Sequence, residues 1–294
     1  MDVNEIEDHL TMSDGFSLFC RRWEVVGKEA EAIVCIHGLG CHSGFFRPLG
    51  QNLAANGVGV YALDLRGFGN SKEEGLPIGD TRDFRRHLQD IDEAVCLVRK
   101  KYQGLKAYML GHSLGGLYAL WYGATHSDAL DGIILAAPAI ESGFKPPSMR
   151  IDAGRPLMPA FAPETMIDMY EMWPQSLKES EEGKLWRRDP LCTQKFSWRW
   201  LGGSMLLRDK EALQNASKIK KPTILIQGEA DDLDLPIGAR KLFENLAVKD
   251  KSLRTFPDAD HWLYHAIFPQ VTAKYSQEKR ERVFSTIRDW LERH

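Results

Sequence analysis

Gly111-His112-Ser113-Leu114-Gly115 follows the apolar run Ala107-Tyr108-Met109-Leu110 and opens the helical run Leu114 to Ala124. A serine between two glycines at a strand-to-helix junction fits the G-x-S-x-G turn, in which the hydroxyl is forced outward at the carboxyl edge of a sheet. Both flanking positions need glycine, because a Cβ there would collide with the neighbouring strand or helix. The helix that follows points its N-terminus at the serine and favours negative charge forming there. Five residues alone match by chance; the strand before and the helix after give the pattern its meaning. The stretch therefore marks a sheet whose strands feed helices, with Ser113 as candidate nucleophile.

The rest of the chain follows that rhythm. Apolar strands are expected at Ala32 to Ile36, Gly132 to Ala136, Thr223 to Gln227 and Ser252 to Phe256. A helix over about Arg82 to Lys100 carries Phe84, Leu88, Ile91, Val95 and Val98 on one stripe. A last helix, about Gln277 to Leu291, carries Val283, Phe284, Ile287, Trp290 and Leu291 on one face. A hairpin turning at Ser13-Asp14-Gly15 comes first. The alternation implies an α/β fold: a mainly parallel sheet flanked by helices on both faces.

One region breaks the alternation. Residues 141–214 separate two expected strands and begin near Lys145-Pro146-Pro147. They carry Met149, Met158, Met166, Met169, Met172 and Met205, with Trp173, Trp186, Trp198 and Trp200. They are expected to form an inserted, mostly helical cap over a core made of 1–140 and 215–294. Methionine packs against irregular apolar shapes. A Met- and Trp-rich lid points to an acyl chain as ligand and to transient contact with a lipid surface. The plainer reading is that the same residues pack the cap onto the core.

A serine nucleophile needs an acid and a histidine, in that chain order. The turn Gly228-Glu229-Ala230-Asp231-Asp232-Leu233-Asp234 follows the strand at Thr223. Asp231, three residues past the glycine, is the favoured orienting acid, with Asp232 as runner-up. His261 follows the strand at Ser252 and the turn Pro257-Asp258-Ala259-Asp260. Its imidazole, with a free pKa of about 6.5, is mostly neutral near pH 7 and can take the serine proton. On that basis the acid limb of kcat/KM is expected at roughly 6–7. His265, one helical turn on, is the fallback. His9, His87, His126 and His294 read as surface residues. His112 is expected to pack beside the nucleophile at the substrate.

The strand Ala32 to Ile36 ends in His37-Gly38-Leu39-Gly40. A glycine-bearing loop there, with Gly38 against the substrate, presents the Leu39 N–H toward the serine. The Leu114 N–H, just after the nucleophile, is the second oxyanion donor. Each donor of this kind is typically worth about 2.7–4 kcal/mol in the transition state.

With these residues in hand, the chain resembles the α/β-hydrolase superfamily, and within it the monoacylglycerol lipase and lysophospholipase branch. Ser13-Asp14-Gly15 with Leu18-Phe19-Cys20-Arg21 and Trp23 is similar to the branch's opening hairpin. His37-Gly38-Leu39-Gly40 with His42-Ser43-Gly44 is similar to its oxyanion segment. Asp64-Leu65-Arg66-Gly67-Phe68-Gly69-Asn70-Ser71 and Asp189-Pro190-Leu191 match two further loops. Gln227-Gly228-Glu229-Ala230-Asp231 matches the acid loop without a gap and so supports Asp231 over Asp232. Asp260 departs from the pattern, standing where many members have a glycine. The resemblance implies a Ser-His-Asp hydrolase of lipid-like esters, monoacylglycerol or lysophospholipid. Short-chain carboxylesterase is the alternative, and a catalytically dead ligand-binding homologue a remote one. Dehalogenases and epoxide hydrolases of this fold are expected to place aspartate where Ser113 stands.

Bulk properties agree. The 294 residues, 43% hydrophobic and 27% charged, are those of an ordinary globular protein. A net charge of −3 gives no basis for nucleic acid as a partner. Neither a secretory leader nor an apolar run of about 20 residues is apparent, so a cytoplasmic chain, at most peripheral to membrane, is expected. No nucleotide-binding glycine loop is present, and the expected chemistry needs neither metal nor organic cofactor. Cys20, Cys35 and Cys96 lie in apolar patterns and read as core. Cys41, beside the oxyanion loop, reads as an inert thiol, and Cys192 completes a set with no C-x-x-C pair.

Overall fold

The computed structural model describes residues 3–25, 31–143, 162–170, 173–204, 207, 210–263 and 277–294. In chain order its strands are β1 (Val3–Thr11), β2 (Ser17–Val25), β3 (Glu31–Ile36), β4 (Val58–Leu63), β5 (Lys106–His112), β6 (Gly132–Ala136), β7 (Met166–Asp168), β8 (Lys195–Ser197), β9 (Thr223–Gly228) and β10 (Lys251–Phe256). The helices are α1 (Arg47–Ala55), α2 (Arg85–Lys101), α3 (Leu114–Thr125), α4 (Gln175–Glu179), α5 (Glu181–Arg188), α6 (Trp198–Ser204), α7 (Lys210–Ala216), α8 (Pro236–Asn245) and α9 (Gln277–Arg293).

Eight strands form one sheet in the order β1-β2-β4-β3-β5-β6-β9-β10. The hairpin β1–β2 and the pair β2–β4 are antiparallel, and every other neighbour is parallel. The chain leaves β3 toward β4, then returns to β5 on the other side of β3. The carboxyl ends of β3 and β5 thus flank the point where strand order reverses, and a parallel sheet opens a ligand crevice there.

Both faces of the sheet are covered, which explains its almost unbroken apolar strands. Alternate residues serve opposite cores. Tyr108 and Leu110 of β5 join Trp23, Leu49, Ile287 and Trp290 on one side. Met109 joins Ile91, Val95, Leu117 and Tyr118 on the other. Helices α1 and α9 therefore cover one face, and α2 and α3 the other.

Between β6 and β9 the described residues form the ribbon β7–β8 and the short helices α4 to α7. Their tryptophans are packing residues. Trp200 is fully buried, with its ring 5.2 Å from both Phe68 and Phe196. Trp186 lies 4.4 Å from Trp173, in a cluster that includes Cys41, Phe45 and Trp262. Met169 is buried and Met166 half-buried. Met149, Met158, Met172 and Met205 lie outside the described residues.

Several expectations are corrected. His87 is fully buried rather than on the surface. Its Nδ1 sits 2.8 Å from the Tyr118 hydroxyl, and burial pushes its pKa down to about 3, so it is neutral. It projects from the apolar stripe of α2 into the aromatic cluster of Phe84, Phe68 and Trp200. Cys96, on the same helix, is exposed rather than core, because it falls on the solvent side of the stripe. His126 and His294 are half-buried, His126 stacking 4.7 Å from Tyr122. Helix α2 starts at Arg85 rather than Arg82, since Asp83 Oδ1 accepts the Arg85 amide at 2.9 Å.

Candidate active site

Ser113 stands between β5 and α3 with φ 54° and ψ −119°. A side chain at positive φ is strained, and here the strain points the hydroxyl into the crevice. The flanking glycines are sterically required. A Cβ on Gly111 would lie 2.1 Å from the Gly115 carbonyl oxygen, and one on Gly115 would lie 2.1 Å from that of Ile36. The Ser113 amide donates to Ala136 at 2.9 Å, which pins the turn to β6.

The acid loop after β9 sorts its own carboxylates. Glu229 pairs with Arg240 at the surface. Asp232 is half-exposed and accepts a hydrogen bond from Ser176 on α4. Asp231 turns inward and is buried. Its Oδ1 accepts the amides of Leu233 (3.0 Å) and Asp234 (2.8 Å). Its Oδ2 accepts Gln227 Nε2 (3.1 Å) and His261 Nδ1 (3.0 Å). A carboxylate with four donors is fixed in place, and it fixes the imidazole in turn. Asp260 Oδ1 accepts the Trp262 amide at 2.9 Å and caps the turn that carries His261. His265 lies outside the described residues.

His112 fills the space beside Ser113, 4.9 Å from the His261 ring. Burial drives its pKa down to about 3, with the nearby His261 acting in the same sense. Neutral His112 donates from Nε2 to the His261 carbonyl at 3.0 Å and so holds that loop. His261 goes the other way, up to about 9. Burial lowers its pKa, but the charges of Asp231, Asp234 and Asp260, with the Asp231 hydrogen bond, outweigh it.

The segment His37-Gly38-Leu39-Gly40 after β3 is pinned by histidines. His37 Nδ1 donates to the Gly38 carbonyl (2.8 Å), and its Nε2 accepts the Leu65 amide (3.1 Å). Burial keeps His37 neutral, pushed down to about 4. His42 reaches Asp189 at 3.1 Å and ties the segment to the end of α5. Gly38 makes close approach to Ser113 feasible, since a Cβ there would lie 3.1 Å from Ser113 Cβ. Gly38, Leu39, His112, Ser113, Leu114 and His261 all line one cavity of about 50 Å³. Leu114 is the first residue of α3, so its amide has no acceptor within the helix. Cys41 also lines the cavity, and burial raises its thiol pKa, leaving it protonated and inert.

Asp234 is the residue that sequence reasoning missed. Its Oδ2 accepts the Ser113 hydroxyl at 2.8 Å and lies 3.8 Å from His261 Nδ1. The available signal was spacing: Asp234 is three residues past Asp231 on one tight loop. Within the turn Gly228 to Asp234 nothing else in the sequence sets it apart from its neighbouring carboxylates.

The family model Hydrolase_4, described as "Serine aminopeptidase, S33", matches residues 27–266. The chain is 30% identical over 264 residues to a monoglyceride lipase of Rattus norvegicus, covering 90% of this chain and 86% of that protein. It is 28% identical over 284 residues to the Homo sapiens monoglyceride lipase, covering 96% and 89%. The crystal structure of a monoacylglycerol lipase of Paleococcus ferrophilus superimposes with a TM-score of 0.72 at 27% identity, covering 99% of this chain and 98% of that one.

Proposed function

Because the chain belongs to the hydrolase family described as "Serine aminopeptidase, S33" and is similar to monoglyceride lipases over nearly its whole length, we propose that it hydrolyses lipid-like carboxylic esters, monoacylglycerol first among them, through an acyl-enzyme on Ser113. The supporting observation is the outward-turned Ser113 beside the buried pair Asp231–His261. The Ser113 hydroxyl turns from Asp234 to His261 Nε2 and attacks the ester carbonyl. His261 takes the proton and returns it to the leaving alcohol. Asp231 holds the imidazole tautomer and stabilises the imidazolium. The amides of Leu39 and Leu114 receive the oxyanion. Water activated by His261 then releases the fatty acid. Residues 141–214 act as the cap over the acyl chain, with transient contact at a lipid surface.

The experiment is a p-nitrophenyl ester ladder from about two to sixteen carbons, run beside monoacylglycerol and lysophosphatidylcholine. Preference for long chains and monoacylglycerol is expected. One observation favours a second reading. Among the described residues the cavity at Ser113 measures about 50 Å³, the size of a small group. An optimum at short chains, with no lipid turnover, would make this a carboxylesterase.

A further inference from the structure

Among the described residues the Ser113 hydroxyl bonds to Asp234 and not to His261. It donates to Asp234 Oδ2 at 2.8 Å, while His261 Nδ1 is engaged by Asp231 at 3.0 Å and lies 3.8 Å from the same Asp234 oxygen. The Asp234 carboxylate is aimed by its backbone. Its amide donates to Asp231 Oδ1 at 2.8 Å, and its carbonyl accepts Gln227 Nε2 at 3.1 Å. The chain entering the insertion is zipped onto the same loop. The Gly143 amide donates to the Leu233 carbonyl and the Leu235 amide to the Glu141 carbonyl, each at 2.8 Å, on either side of a β-bridge between Ser142 and Asp234. The two segments are pressed together, since a Cβ on Gly143 would run into the Asp232 carbonyl oxygen. Asp234 is thus fixed from two sides.

A hydroxyl has one proton to donate. While Ser113 gives it to Asp234, it cannot give it to His261, and attack on an acyl carbon requires that transfer. Hydrogen bonds to an ionised acceptor are roughly twice as strong as those between neutral groups. A neutral imidazole therefore competes for the proton at a disadvantage, whatever else the carboxylate bonds. That disadvantage exists only while the Ser113 oxygen carries a proton. Once the serine is acylated its oxygen has none, and release of the acid by water is not opposed in this way.

We propose that Asp234 is a positioning residue that holds the Ser113 hydroxyl out of line with His261 in the resting enzyme, and so slows acylation selectively over deacylation. This rests on the reading of Ser113 as nucleophile above. The consequence is a gain of rate: removing the Asp234 carboxylate speeds the first half-reaction.

The test follows single turnovers of p-nitrophenyl butyrate with enzyme in excess, at the pH-independent limit above the acid limb, where His261 is neutral in every variant. Release of p-nitrophenol reads acylation, and decay of the acyl-enzyme mass reads deacylation. The rate of fluorophosphonate labelling reads attack by Ser113 alone. Asp234→Leu has no acceptor, and Asp234→Asn keeps a neutral one. Release and labelling should each quicken about tenfold in Asp234→Leu and by less in Asp234→Asn. Decay of the acyl-enzyme should gain far less. Asp234→Asn, which is nearly isosteric, decides alone if Asp234→Leu does not fold. Release and labelling that are unchanged or slower overturn the proposal while leaving the hydrolase reading intact. Equal acceleration of release and decay also overturns it, since the effect would then lie in His261. A wild type that neither releases p-nitrophenol nor takes the label would sink the reading of Ser113, and the inference with it.

Discussion

Nδ1 of His261 lies 3.0 Å from Oδ2 of Asp231, and both side chains are buried. Asp234 and Asp260 add their charges, and together the carboxylates outweigh burial and lift His261 to about 9. Histidine is a base only when neutral. The acid limb of kcat/KM should therefore lie well above the 6–7 expected from an unperturbed imidazole, rising toward about 9. Asp234→Asn removes one of the lifting charges and should move the limb to lower pH. A profile on a neutral ester checks both. An inflection at or below about 6.5 in wild type would contradict this electrostatic account.

The proposed roles of Ser113 and Asp231 separate in mutant kinetics. Ser113→Ala should lower kcat by roughly 10⁴–10⁶ and abolish fluorophosphonate labelling. Asp231→Asn should lower kcat by roughly 10⁴, because an amide favours the wrong imidazole tautomer. Near-full activity in Ser113→Ala would mean that the nucleophile lies elsewhere.

Much of this was legible in the residues because steric demand and pattern coincide. Gly111 and Gly115 are readable since no Cβ fits at either place. The strands β3, β5, β6 and β9 are readable because both faces are covered and their sequences are almost continuously apolar. The His87 error has a physical cause: histidine is read as polar, but neutral imidazole packs as an aromatic ring once a hydroxyl partners it. Cys96 fails in reverse, as a small residue whose side of α2 faces solvent. Asp234 was hidden because charge in a turn normally means exposure. Only the fold of the loop shows that Asp231 draws its neighbour inward through the Asp234 amide.

Thiol chemistry offers an independent check on burial. Cys20, Cys35 and Cys41 are buried, with pKa values raised by burial, while Cys96 is exposed. A thiol-reactive disulfide reagent on the native protein should modify Cys96 in its fast phase, and Cys96→Ser should remove that phase. Fast modification of Cys41 accompanied by loss of activity would show that the loop after β3 opens far more readily than its histidine pins imply.

The loop after β4 carries the last prediction. Arg66 meets Asp90 of α2 through two hydrogen bonds, Nε to Oδ2 at 2.8 Å and Nη2 to Oδ1 at 2.9 Å. Both side chains are buried, and the Arg66 guanidinium also covers the Phe16 ring at 3.8 Å. The same loop carries Asp64, whose carboxylate accepts the amides of Ser43 and Asn70 and so supports the segment after β3. Breaking a buried pair from one side strands the other charge, at a typical loss of about 3–5 kcal/mol. Arg86 Nη2 remains 3.1 Å from Asp90 and will soften that loss for Arg66→Met. Arg66→Met should therefore destabilise by about 3 kcal/mol, the low end of that range. The double variant Arg66→Met/Asp90→Leu should lose less than the sum of the two single changes, because no charge of the pair is then left stranded. Urea unfolding of the four proteins closes the cycle. Purely additive losses would show that the two side chains act on stability separately, and that the loop is held by Asp64 instead.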